Sequence, residues 1–135
     1  MDKNYIDKRS DGWIRKVEHL YSLIKDTLKN EKEVHYKTDQ SMVMREELME
    51  KYGVPPKNVP IFDLFTGNQL KATFKPIGLW VVGAQGRIDI LTNIGSYILV
   101  DLGDDDAHPD WKVFSPKNRK KAEPFNAEFI ERLAY

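Results

Sequence analysis

LKATFKPIGLWVVGAQGRIDILTNIGSYILVDLGDDDAHPDWKVF runs from Leu70 to Phe114, and its punctuation decides the fold. Five short β-branched and aromatic runs, LKATFKP, GLWVV, RIDILT, SYILVDL and WKVF, are separated by PIG, GAQG, NIG and GDDD. Bends this short join only neighbouring antiparallel strands, because a parallel pair needs a crossover of about a dozen residues. The stretch therefore predicts a four- to five-stranded antiparallel meander. Along SYILVDL the residues of both alternating faces are apolar, which predicts a central strand covered on both sides, at least in part.

Upstream, the period changes to that of a helix. Trp13, Ile14, Val17, Leu20, Tyr21, Ile24 and Leu28 recur at three- and four-residue steps, with Ser10 or Asp11 as the expected cap and a polar, flexible segment over residues 1–9. The polar link KNEKEVHYKTDQ follows, with a short extended piece at Val34 to Tyr36. A second helix is expected from Ser41 to Tyr52 on the stripe Met44, Leu48 and Tyr52, capped by Asp39 or Ser41. Gly53 stops it, and Pro55 and Pro56 prevent its resumption. The methionines there read as core filling. A third helix, NAEFIERLAY, has Asn126 as its cap, Glu128 in the first turn and Phe125 placed to staple onto Ile130. The expectation is one α+β domain over residues 1–135, an antiparallel meander packed against two N-terminal helices and one C-terminal helix.

Composition narrows the function classes. Lys plus Arg equals Asp plus Glu, 21 each, so no global field draws the chain to nucleic acid or to an anionic membrane. There is no cysteine, which removes disulfides, thiolate metal sites and a cysteine nucleophile together. The opening MDKNYIDKRSDGW lacks the apolar run of a signal peptide, and no apolar stretch is long enough to span a bilayer. A cytoplasmic protein with no membrane association is the expectation.

Four motifs carry the candidate chemistry. VVGAQGRIDI has Gly83 and Gly86 directly after a strand, but a further β-patterned run follows where a nucleotide loop needs a helix, so a hairpin turn accounts for both glycines. In DLGDDDAHPD, Asp104, Asp106, His108 and Asp110 alternate just after Asp101. A curled loop would present hard oxygen ligands and one imidazole to Mg²⁺, Mn²⁺ or Ca²⁺, and a solvated loop would bind nothing. WKVFSPKNRKK gathers Lys112, Lys117, Arg119, Lys120 and Lys121 near Trp111 and Phe114. Such a set neutralises phosphates and offers a ring for stacking, or serves as a solvated connector whose lysines pair with the acidic loop upstream. His19, His35 and His108 lie on a helix, a link and a loop, with no serine elbow to complete a triad.

GRIDIL followed by YILVDLG resembles the core hairpin of the PD-(D/E)xK nuclease family over about 20 residues. That resemblance implies a divalent metal, Mg²⁺ or Mn²⁺, held by Asp89 as the first acid and Asp101 as the second. The family's lysine position falls on Gly103, and Lys112 is the substitute available from the following strand.

Lacking a complete catalytic set, the chain is expected to be a small non-enzymatic binding domain acting through a protein partner or a homo-oligomer. Trp111, Lys117, Arg119, Lys120 and Lys121 are its binding residues, and nucleic acid or another polyanion is the variant partner. A strand edge at WKVF is a second means of pairing with another chain. The competing class is a metal-dependent phosphodiesterase using Asp89, Asp101 and Lys112, with a cation at Asp104, Asp106, His108 and Asp110 as its other form.

Overall fold

The computed structural model describes residues 1–104 and 108–135. The chain runs α1 (Lys3–Thr27), β1 (Val34–Lys37), β2 (Ser41–Met44), α2 (Glu47–Lys51), β3 (Lys57–Pro60), β4 (Phe62–Thr66), β5 (Gln69–Gly78), β6 (Arg87–Thr92), β7 (Gly95–Asp101), β8 (Trp111–Ser115), β9 (Asn118–Pro124) and α3 (Ala127–Ala134). The α+β class and the antiparallel meander hold, but PIG lies inside β5 and GLWVV, expected as a strand, forms the start of the β5–β6 connection with only an isolated bridge, Val81 to Ala84. The sheet has seven strands in the order β1-β4-β5-β6-β7-β8-β9, and β2 and β3 form a separate two-stranded ribbon.

The additional strands have physical reasons. β1 is the short extended piece anticipated at Val34, and it reaches over the ribbon to pair with β4, Val34 opposite Thr66 and Lys37 opposite Asp63. β9 is the basic run expected to be a connector. As an edge strand exposed along most of its length it has no apolar alternation to betray it. It covers β8, so WKVF is not a sheet edge.

The second helix is corrected most. Ser41–Met44 is extended, with Met42 opposite Val59, and only Glu47–Lys51 is helical. Methionine suits either state, and Met44 and Met49 both reach the core from their different elements. Glu46, just before α2, accepts from the backbone N–H of Leu79 at 3.1 Å and of Trp80 at 3.1 Å, which pins the start of the β5–β6 connection.

The first helix begins at Lys3, capped by the Asp2 side chain on Tyr5 N, so the polar segment expected to be flexible is helical and buries Ile6. Its apolar stripe lies on the sheet. Tyr21 stacks on Phe62 at 4.8 Å between ring centres and donates to Pro60 O at 2.7 Å; burial foremost, then the Asp63 charge, raises its hydroxyl, which stays neutral. α3 starts as expected, Asn126 accepting from Phe129 N at 3.0 Å, and meets the same sheet face through Phe129 on Tyr97 and Phe125 on Phe74.

SYILVDL, expected to be covered on both sides at least in part, has its helical cover on one face. Tyr97, Leu99 and Asp101 face the helices, while Ile98 and Val100 face the other way. Among the described residues no helix lies on that second face. On it Val100 is buried and Leu91, Ile98 and Phe114 are half-buried among Lys75, Arg87 and Lys112, whose aliphatic stems can cover them in place of a second layer.

The ribbon is fastened to α1 by Lys57, whose ammonium lies 2.7 Å from both Asp7 and Asp11, one turn apart on the helix. Burial alone lowers the Lys57 pKa, but the hydrogen bonds and charges of Asp11 and Asp7 outweigh it, and the net direction is upward. A group raised on folding contributes stability in full below its unfolded value of 10.5 and loses it as pH climbs through the folded value. Both acids are about half exposed, so Lys57→Met is expected to cost no more than about 1 kcal/mol in urea denaturation at neutral pH. The gap between wild type and variant should close as pH rises beyond 10.5.

Candidate functional site

Asp101 ends β7 on the helix-facing side and is fully buried. Its Oδ2 pairs with Lys16 Nζ of α1 at 2.7 Å, while Oδ1 accepts from Gly103 N at 2.9 Å and Asp110 N at 2.8 Å. Lys16 also donates to Gln85 O at 3.4 Å, and the backbones of Gln85 and Gly86 bond to that of Asp101. The carboxylate thus joins α1, the β5–β6 connection and the loop after β7.

Asp89 lies elsewhere. It stands opposite Ile98 on β7, three positions from Asp101, so with a period of two its side chain leaves the sheet on the other face. It pairs there with Arg87, two residues before it, at 2.8 Å. Lys112, opposite Val100, shares the Asp89 face, and its ammonium lies 3.6 Å from Asp110. The structure therefore brings Asp89 and Lys112 to one face and Asp101 to the other, and the convergence that a shared metal requires is not formed. Position 103 is closed as well: a Cβ there would stand 3.0 Å from Asp101 Oδ1 and still closer to His108 O, so only glycine fits where the nuclease hairpin carries lysine.

Of the alternating metal candidates, Asp106 lies outside the described residues. Asp110 gives its backbone N–H to Asp101 and its carboxylate to Lys112. Asp104 and His108 flank the undescribed residues, and among the described residues no group of three or more acids and histidines is placed to hold a metal ion.

The expected binding set is divided between the two ends of β8. Trp111 packs on Trp13 at 6.3 Å between ring centres, beside α1. Lys117 stands at the β8–β9 turn, about 15 Å away along the strand. Among the described residues the lysines there do not pair with the acidic loop. Arg119 is held, donating to Phe114 O at 3.1 Å and Ser96 O at 2.6 Å, and it staples β7, β8 and β9 together. Lys117, Lys120 and Lys121 form no ion pair among the described residues.

A concave surface does lie at that end of the sheet. The last turn of α3 and the tips of the β4–β5 and β6–β7 hairpins enclose an open groove of about 460 Å³. An adjoining hollow of about 310 Å³ extends beneath β8 and β9, and the two share Tyr97 and Arg132. Leu70, Ile94 and Tyr135 line the first with relative exposures of 54%, 54% and 61%. Tyr135 donates to Glu31 at 2.9 Å, the bond that chiefly raises its hydroxyl pKa. The cations of the two hollows are Lys71, Lys121 and Arg132, and the acid is Glu123, 3.6 Å from Arg132.

Leu70, Lys71, Ile94, Arg132 and Tyr135 are absent from the residues expected on sequence grounds. A signal for two of them existed: Ile94 sits inside the turn TNIG and Leu70 directly after TGNQ, positions where an apolar side chain has no part in turn chemistry. Comparisons with protein-family models, with curated proteins and with solved structures return no match.

Proposed function

We propose that the chain is a non-enzymatic binding domain acting through protein–protein contacts, with the groove between α3 and the hairpin tips as its working surface. The observation that carries this reading is the cluster of exposed Leu70, Ile94 and Tyr135 around one concavity. Each exposed apolar side chain alone is ordinary; three gathered around a hollow form the kind of patch that partners bury. Support also comes from the opposed directions of Asp89 and Asp101. Among the described residues no helix is long and apolar enough to cross a membrane.

Selection of peptides from a randomised display library tests the reading. The expected result is an enriched pool whose binding is lost on the double variant Leu70→Ser, Ile94→Ser and kept on Lys75→Glu, which lies on the opposite sheet face. Enrichment indifferent to Leu70 and Ile94 would remove the groove from the proposal.

Lys117, Lys120 and Lys121, without an ion pair among the described residues, favour a second reading, polyanion binding at the β8–β9 turn. It predicts a salt-sensitive mobility shift with a single-stranded oligonucleotide that disappears when these three lysines become Ala. No shift at low salt would discard it.

A further inference from the structure

We infer that the groove selects an acidic segment, one that places a carboxylate on Arg132 and an apolar side chain beside Leu70 and Ile94. This rests on the reading of the groove as a protein-binding surface and adds the chemistry of the occupant.

The whole chain is balanced at 21 cations and 21 acids, yet Lys71, Lys121 and Arg132 line the two hollows with Glu123 as the acid among the lining residues, while Glu31, engaged by the Tyr135 hydroxyl, and Glu33 stand at the Tyr135 rim. Overall balance makes the excess of lining cations a matter of placement. Lys71 and Lys121 form no ion pair among the described residues.

Arg132 is the pivot because it lines both hollows. Its guanidinium lies over the Phe129 ring at 5.3 Å, which holds the planar fork in place before any partner arrives. Its bond to Glu123 is long, 3.6 Å, and both side chains are well exposed, so solvent screens the pair. An incoming carboxylate that meets the fork in bidentate geometry replaces a weak contact with a stronger one.

Apolar groups flank the pivot on the Leu70 and Ile94 side, so the occupant needs both characters within a few residues. A nucleic acid fits less well. Stacking requires successive open rings, and here Tyr97 is half-buried with its ring edge-on to Phe129 at 5.3 Å, leaving Tyr135 alone as an exposed ring.

The test sequences the display pool enriched on the wild-type protein and repeats the selection on Arg132→Glu, Lys121→Glu and, as a control remote from the groove, Lys75→Glu. The expected pool is rich in Asp and Glu next to Leu, Ile or Phe. Representative peptides made with a fluorophore should lose about tenfold or more in affinity on Arg132→Glu, and less at high salt, by anisotropy. Lys75→Glu should leave them unchanged. Arg132 and Lys121 are exposed and Lys75 is half-buried on the opposite sheet face, and an unchanged thermal melt verifies that each variant is folded.

A pool that depends on Leu70 and Ile94 but is neutral or basic overturns the inference and leaves the groove reading standing. A pool indifferent to Leu70 and Ile94, or no enrichment, overturns both. An oligonucleotide that binds in place of acidic peptides and is lost on Arg132→Glu overturns the inference in favour of nucleic acid.

Discussion

Replacing Asp101 by Asn is expected to destabilise the protein by about 3–5 kcal/mol, the range for removing one partner of a buried ion pair. The amide keeps an oxygen to accept from Gly103 N and Asp110 N, so hydrogen bonding at that side chain is largely conserved. What is lost is the negative charge 2.7 Å from the Lys16 ammonium, at a site where the two side chains are 0% and 7% exposed. A lysine stripped of that charge in so dry a place is costly, and urea denaturation reads the cost as a lower midpoint at unchanged slope.

Lys16→Met on the Asp101→Asn background should restore part of the stability, because an uncharged pair of similar volume has no ion to desolvate. The coupling energy is the cost of the double variant minus the summed costs of Asp101→Asn and Lys16→Met alone, and strict additivity of the two substitutions would contradict a direct pairing. Asp89→Asn is the companion experiment. Asp89 is partly exposed on the other sheet face and pairs with an exposed Arg87, so it should cost less than about 1 kcal/mol. The two aspartates resemble each other in sequence context, each near a strand terminus in one hairpin. Their unequal costs would express the difference between a group that fastens a helix and one that decorates a surface.

Much of this fold is legible in the sequence because the signals are local. The bends between Leu70 and Phe114 allow only antiparallel neighbours, and Asn126 with Glu128 announces α3 within four residues. β1 is not legible as part of the main sheet, since its partner β4 lies beyond an intervening ribbon and nothing in VHYK specifies which strand it will meet. β9 carries no strand signal because an edge strand exposed along its length has no need of apolar alternation, and its lysines also guard that edge against unwanted pairing.

The acidic and basic clusters stand out in composition, yet composition does not say which face a side chain takes. A period of two sends Asp89 and Asp101 apart, and that depends on the register of β6 on β7. The groove is harder still to read in sequence. Its walls come from hairpin tips and a terminal helix that are far apart in the chain, and Arg132 would pass for an ordinary cation in a last helical turn.

Gly86→Ala should be the other substitution with a large effect, and its cause is independent of charge. Gly86 has φ +138°, a backbone conformation that L side chains rarely adopt, which alone costs on the order of 1–3 kcal/mol. A methyl group there would also enter the Trp13 ring, standing 2.6 Å from Cη2 and 2.8 Å from Cε3. Trp13 is almost fully buried, so the ring has little room to yield, and overpacking adds about 1–3 kcal/mol. A loss of about 3 kcal/mol or more in denaturant unfolding is expected. Near-ultraviolet circular dichroism should change with it, because Trp13 packs against Trp111. Gly83 is the control: at φ +81° with nothing within 4 Å of where a Cβ would stand, Gly83→Asn meets no neighbour and should be tolerated far better. Trp13→Leu combined with Gly86→Ala separates the two causes. Relief of the clash should make the double variant less unstable than the sum of its parts, while the backbone penalty persists. A Gly86→Ala protein within about 0.5 kcal/mol of wild type would mean that the close approach of α1 to the β5–β6 connection is wrong. The placement of Lys16 beside Asp101 would then fall with it, since Trp13 and Lys16 project from neighbouring turns of the same helix.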